Sequence, residues 1–135
     1  MTIPEYALTV RQPWALAIVA GVKPVENRKK RTHYRGRIAI HAGLTWDKRA
    51  ARWMRERQIF VSPDPIMGAL IGEVTITDCL APGDAPYSLW SHDELFANDP
   101  WKWMLADPVA YPYPIPMKGA LGLWETAPKL TEVGS

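Results

Sequence analysis

Residues 8–28 read LTVRQPWALAIVAGVKPVENR, and the fold follows from them. Leu8 and Val10 alternate with Thr9 and Arg11, the period of a strand. Gln12-Pro13 ends the alternation. Pro13 has no N–H to donate and a φ already close to helical, so it suits the first turn of a helix. Residues 14–20, WALAIVA, then make an almost wholly apolar helix of about two to three turns, and a helix apolar on most sides is buried among other elements. Gly21 is the expected stop, since glycine takes a left-handed position without steric cost. Beyond it stand Lys23, Glu26, Asn27 and Arg28. A buried helix that delivers polar side chains at its end places chemistry beside a core.

Around this stretch the chain has 135 residues, enough for a single domain over 1–135 with one real core. Hydrophobic residues make up 47% and charged residues 22%, ordinary for a globular protein. The net charge of +2 conceals an asymmetry: residues 1–60 carry 13 Lys/Arg against 4 Asp/Glu, and residues 61–135 carry 3 against 10. Such a field either steers an anionic partner to the first half or is neutralised across the fold. The single cysteine, Cys79, permits no internal disulfide, and no Cys/His framework for a metal is present. No cofactor is expected. The start lacks the regions of a signal peptide. The longest apolar runs, 15–22 and 66–72, fall well short of the ~20 residues of a membrane span. The expected setting is the cytosol, or the nucleus in a eukaryotic host, with no membrane partner.

Further along, KKRTHYRGR after Arg28 has no hydrophobic period and reads as a basic loop. Residues 37–41 alternate as a strand. A helix is expected from about Thr45, as N-cap, to about Gln58, with Trp46, Ala50 and Trp53 on one face and Lys48, Arg52 and Arg55 on another. Residues 68–80, GALIGEVTITDCL, are the clearest strand, and Gly72 marks a bulge. Residues 81–100 form a loop, in which Ser91-His-Asp-Glu94 has capping-box spacing for a short helix. Strands are expected at 101–105 and 120–125. Prolines at every second position in YPYPIP (111–116) fit a sheet edge, where no ladder N–H is needed. Residues 128–135 read as a frayed tail. Many short strands with few helices make an α+β class, as a small mixed β-barrel. Leu16, Ile18, Val19, Ile38, Ile40, Leu70, Val74, Ile76, Leu121 and Leu123 are the expected core.

Four blocks in order, LTVRQPWALAIVAGVKPVENR, YRGRIAIHAG, GALIGEVTITDCL and PYPIPMKGALGLWE, resemble the activating-signal-cointegrator homology (ASCH) domain of the PUA-like superfamily. The most specific pieces are Gln12-Pro13-Trp14, the run Gly21-x-Lys23-x-x-Glu26-x-Arg28, and Pro116-x-Lys118-Gly119 ahead of Trp124. The resemblance implies a PUA-like barrel with two to three helices over its openings. It also implies a cleft between the first helix, the loop after it and the Lys-Gly turn, for RNA or a nucleotide-like ligand. Members of the family include nucleic-acid-binding modules, a ribonuclease and an amidohydrolase acting on acetylated cytidine, so the fold does not fix the activity.

The candidate ligand-binding residues are Arg11, Gln12, Trp14, Lys23, Glu26, Arg28, Arg35, His41, Lys118 and Gly119. In an extended segment Glu26 and Arg28 point to one side. They form either a structural ion pair or a support that holds the Arg28 fork for a phosphate or base edge. Trp14 either packs in the core or stacks on a base. Arg11, Arg35 and Arg37 with Lys29, Lys30 and Arg31 read as a solvated basic patch or as phosphate contacts. Lys118-Gly119 fits an anion-holding turn. His41 is a packed residue or a base. Amidohydrolase-like members of the family use a Lys-x-x-Thr pair. Here Lys23 matches the lysine and Glu26 stands at the threonine, where a carboxylate changes the mechanism. An enzyme would use Lys23 and Glu26 as an acid–base pair. The expected function is binding of single-stranded or modified RNA, or of a nucleotide-like ligand, in a basic cleft. The alternatives are a small hydrolase (ribonuclease or nucleoside amidohydrolase) and a protein-interaction module whose basic helix meets an acidic partner. The sequence leaves the oligomeric state open.

Overall fold

The alternation at the start of the chain becomes strand β1 (Tyr6–Gln12), and the apolar run after it becomes helix α1 (Trp14–Val19). A computed structural model describes residues 2–134, with residues 131–134 described by backbone alone. Pro13 takes the N-cap position of α1 and is preceded by a cis peptide bond. Gly21, with φ +81°, ends the helical run in the left-handed conformation expected of it. Then follow β2 (Val25–Arg28), β3 (Gly36–Trp46), α2 (Lys48–Glu56), β4 (Ala69–Leu80), α3 (Leu89–His92), a 3-10 turn (Glu94–Phe96), β5 (Trp101–Pro116), β6 (Leu123–Glu125) and α4 (Thr126–Gly134).

The strands form one mixed α+β sheet in the order β2-β5-β4-β3-β1-β6. Among the described residues only β1 and β3 run parallel; every other neighbouring pair is antiparallel. Backbone pairing does not close the sheet. The arrangement is barrel-like because the β2 edge comes back to β1, where Arg28 Nη2 donates to the Thr9 carbonyl at 2.8 Å. Alternation divides the core between the two faces. Leu8, Val10, Ile38, Ile40, Val74 and Ile76 pack with Ile18 and Val19 of α1 on one face. Ala7, Ala39, Leu70, Tyr111, Met117 and Trp124 pack on the other. A third cluster joins α1 to α2 and the 3-10 turn through Ala17, Trp53, Met54 and Phe96.

Several expectations need correction. The N-cap of α2 is Asp47, whose side chain accepts from Ala50 N at 2.9 Å. Thr45 and Trp46 still belong to β3, because Trp46 pairs with Gln12 across the sheet. Ser91 lies buried inside α3, and the local cap is Asp93, which accepts from Leu95 N at 2.9 Å. The strand expected at 101–105 and the extended proline segment at 111–116 are one continuous strand. Its early residues pair with β2, and its prolines fall beyond that pairing, on the uncovered flank. Leu16 and Leu123 are half-buried and the other expected core residues are buried, except Leu121, which is 97% exposed. Pairing with β1 begins only at Leu123, and Gly122, with φ +62°, turns the chain outward before it. Among the described residues there are four short helices where two to three are expected, the last of them over the segment read as a frayed tail.

Candidate ligand-binding site

Burial explains why the polar cluster after α1 is arranged as a chain of contacts. Lys23 is 2% exposed. Its Nζ donates to the Val25 carbonyl and lies 3.4 Å from Glu26 Oε1. It also faces two aromatic rings, Trp14 at 5.3 Å and Phe96 at 5.5 Å from the ring centroids. Desolvation lowers its pKa from the ordinary lysine value, and the Glu26 carboxylate opposes that shift. Glu26 is itself buried and serves two cations: its other oxygen accepts from Arg28 Nε at 2.8 Å.

Arg28 is the outermost link. Its guanidinium is held at Nε by Glu26 and at Nη2 by the Thr9 carbonyl, and it stands 5.8 Å from the Trp103 ring centroid. Its side chain keeps 28% exposure. Among the described residues, Nη1 makes no hydrogen bond. The result is a pre-oriented planar donor at the surface.

Thr9 joins this cluster to the Lys-Gly turn. A Cβ added at Gly119 would come within 2.6 Å of Thr9 Oγ1 and 2.7 Å of the His41 ring, so only glycine lets the turn lie this close. Lys118, beside it, is exposed. His41 is engaged at both nitrogens. Nε2 contacts the Met117 carbonyl at 2.6 Å, and a carbonyl only accepts, so the proton sits on Nε2. Nδ1 then accepts from the Thr9 hydroxyl at 3.2 Å, and Thr9 Oγ1 accepts from Trp124 Nε1 at 3.1 Å. Burial lowers the His41 pKa, which keeps the ring neutral. This closed knot makes His41 a packed residue that supports the turn.

The other expected site residues divide. Gln12 is buried with both ends satisfied: Nε2 donates to the Ile66 carbonyl at 2.9 Å, and Oε1 accepts from Leu16 N at 3.0 Å. It braces the start of α1. Trp14 is half-buried in a cage with Trp53, Trp90 and Phe96, so its ring packs and covers Lys23. Arg35 is committed to the Thr32 and Tyr34 carbonyls and to Asp78 at 3.4 Å, clasping its own loop. Arg37 is bound likewise to Glu73 and Thr75. Arg11 is exposed, with no such partner among the described residues. A concavity of about 50 Å³ beside Lys23 is walled by Ile18, Pro24, Val74 and Leu105. Its volume is far below the ~300–1,000 Å³ of small-molecule pockets. Of the three charged side chains of the cluster, Arg28 alone is partly exposed. Among the described residues, no three His, Cys, Asp or Glu side chains gather as a metal set. No helix there is long and apolar enough to cross a membrane.

The family model for the ASCH domain matches residues 8–114, which takes in most of β1, the Lys23–Arg28 cluster and most of the sheet. The chain belongs to the ASCH domain family. Human Activating signal cointegrator 1 is 26% identical over 133 residues, covering 93% of this chain and 23% of that protein. Its mouse counterpart is 32% identical over 84 residues, covering 56% of this chain and 14% of that protein. This ASCH domain thus spans under a quarter of the length of the curated relatives it matches. A crystal structure of ASCH from Zymomonas mobilis superposes with a TM-score of 0.52 at 19% identity, covering 83% of this chain and 73% of that one. A serine-to-alanine mutant of the same bacterial protein gives 0.51 at 19% identity, with the same coverage of 83% and 73%. At that identity the likeness concerns the fold.

Sequence reasoning missed three members of this candidate site. Thr9 carries both the carbonyl that holds Arg28 and the hydroxyl that meets His41. Its signal was present, as the polar position between Leu8 and Val10. Phe96 covers Lys23 from the loop over 81–100, and Trp103 backs Arg28; no local pattern announces either contact.

Proposed function

We propose that this ASCH domain binds single-stranded or modified RNA, or a nucleotide-like ligand, at the basic surface over Arg28 and the Lys118-Gly119 turn. The observation that carries the reading is Arg28: fixed at two of its nitrogens, partly exposed, and left with a free Nη1 above Trp103. An arginine held in this way loses little rotamer freedom when it meets a phosphate or a base edge. Lys118 and Arg11, both exposed, supply the phosphate contacts that need no fixed geometry. The domain works in the cytosol or nucleus, where such ligands are found.

The test is fluorescence anisotropy with a labelled single-stranded RNA of about 10 nucleotides. Affinity is expected to fall steeply with salt, and Lys118→Ala and Arg11→Ala are each expected to reduce the log–log salt slope by about 1. Binding that is equal at low and high salt refutes the phosphate-contact reading.

A second reading, a small hydrolase, is favoured by one observation. Burial moves the Lys23 pKa in the direction a general-base lysine needs. Against it, Nζ is enclosed by Val25, Glu26, Trp14 and Phe96. Hydrolysis of RNA or acetylated cytidine that Lys23→Ala abolishes would reverse the ranking.

A further inference from the structure

Helix α2 buries Ala50, Ala51, Trp53 and Met54 and turns Lys48, Arg49, Arg52 and Arg55 outward, all four exposed. Arg57, just past the helix, is a structural cation. It lies 4.2 Å from the Trp53 ring centroid and 3.3 Å from Asp93. The four on the helix have no side-chain hydrogen bond or ion pair among the described residues. Lys48, Arg52 and Arg55 recur at i, i+4 and i+7, a stripe of like charge about 10 Å long at 1.5 Å per residue. Like charges at this spacing repel. They amount to a concentrated demand for anions on the outer face of α2.

Beside the stripe is an apolar slot of about 60 Å³ between α1 and the exit of α2. Leu16, Ala20 and Val22 wall one side, and Met54, Ile59 and Phe60 the other. Val22 and Phe60 stand at its rim, 45% and 74% exposed. Arg55 follows Met54 at roughly 100° around the helix, so the charged stripe borders the slot. Eight of its nine lining residues are apolar and Ser62 supplies the one polar side chain, so a nucleobase edge finds almost nothing to bond, while an aliphatic side chain seated partly in it leaves no polar group of its own unpaired.

We propose that this face docks an acidic peptide segment of a partner protein. The segment inserts a single leucine-like side chain between Leu16 and Phe60 and lays Asp or Glu carboxylates along Lys48, Arg52 and Arg55. The charge of the stripe and the shape of the slot select together, as in other groove-docked peptides. The docking uses no residue of the Arg28 surface, so it stands apart from ligand binding there.

The experiment is fluorescence polarisation on the full chain with a labelled synthetic peptide: a central Leu–Leu pair flanked by Asp and Glu. A matched peptide carries Ser–Ser in place of the pair. The Leu–Leu peptide is expected to bind. Its Kd is expected to rise about tenfold or more in Arg52→Glu/Arg55→Glu and in Val22→Ser/Phe60→Ser, and Lys118→Ala is expected to leave it unchanged. The Ser–Ser peptide is expected to be about tenfold weaker on the unaltered chain. All four substituted positions are exposed, and circular-dichroism melting confirms that the variants fold. The proposal is overturned if the Leu–Leu peptide does not bind or if the Ser–Ser peptide binds equally. It is also overturned if single-stranded RNA, rather than peptide, loses affinity in Val22→Ser/Phe60→Ser, which would make the face a nucleic-acid track.

Discussion

Replacing Glu26 with leucine should expose the energetics of the whole Lys23–Arg28 cluster. In the folded chain the Lys23 side chain is 1% exposed and that of Glu26 8%. Removing the carboxylate leaves a buried ammonium with the Val25 carbonyl and two aromatic faces. Leaving a buried charge unpaired costs ~3–5 kcal/mol. The lost Arg28 contact adds only about 0–1 kcal/mol, because that guanidinium is partly solvated. Glu26→Leu is therefore expected to cost ~3–5 kcal/mol at neutral pH, within the ~5–15 kcal/mol of a typical domain. Lys23→Met keeps the volume and leaves Glu26 paired with Arg28. It forfeits chiefly the hydrogen bond to Val25, a loss of ~1–3 kcal/mol. The double variant Lys23→Met/Glu26→Leu should be more stable than Glu26→Leu alone, since the stranded charge is gone. The pH dependence gives a second readout. Burial holds the folded pKa of Lys23 below the ordinary 10.5, so between those values the unfolded chain binds the extra proton. The stability of Glu26→Leu should thus rise with pH toward 10.5 and fall as pH drops, and Lys23→Met should abolish that slope. Urea denaturation of the four proteins across pH measures both. The reasoning fails if Glu26→Leu lies within about 0.5 kcal/mol of the parent, or if the double variant costs the sum of the singles.

Two further outcomes test the supports of the site and the turn before β6. Gly119→Ala should destabilise the domain by ~1–3 kcal/mol and weaken RNA binding, because the new methyl meets Thr9 and the His41 ring, which cannot move without breaking their hydrogen bonds; a urea midpoint equal to the parent's would refute this. Leu121→Ser, at a position 97% exposed, should change stability by less than about 0.5 kcal/mol, and a larger loss would mean that the turn packs against something.

The parts of the fold legible in sequence are those where local pattern and tertiary packing agree. Alternation over residues 8–10, 37–41 and 69–76 predicts β1, β3 and β4, and the apolar run 14–20 predicts α1 with its glycine stop. These hold because burial of one face imposes the period on the side chains. The misplaced caps have a common cause. Thr45 and Ser91 have the right chemistry to start helices, but Trp46 is claimed by pairing with β1 and Ser91 by burial within α3. Leu121 reads as core because its neighbours alternate, and only the register with β1 shows that pairing starts two residues later.

For the site, the order of residues settles the chemistry on offer: a lysine, a carboxylate and an arginine set after a buried helix, and a Lys-Gly turn far along the chain. Glu26 and Arg28 fall on one side of a strand by its period of two, so their contact is local and readable. Which groups remain free depends on the folded arrangement. Arg35, Arg37, Gln12 and His41 are spent on carbonyls, carboxylates and each other's neighbours, while Arg28 keeps a donor and Lys118 its exposure. The partners that make this division, Thr9, Phe96 and Trp103 among them, lie up to tens of residues away. Thr9 meets Arg28 because the β2 edge curls back to β1, Trp103 because β5 pairs with β2, and Phe96 because the 3-10 turn packs on α1; contacts between elements distant in the chain leave no periodicity to read.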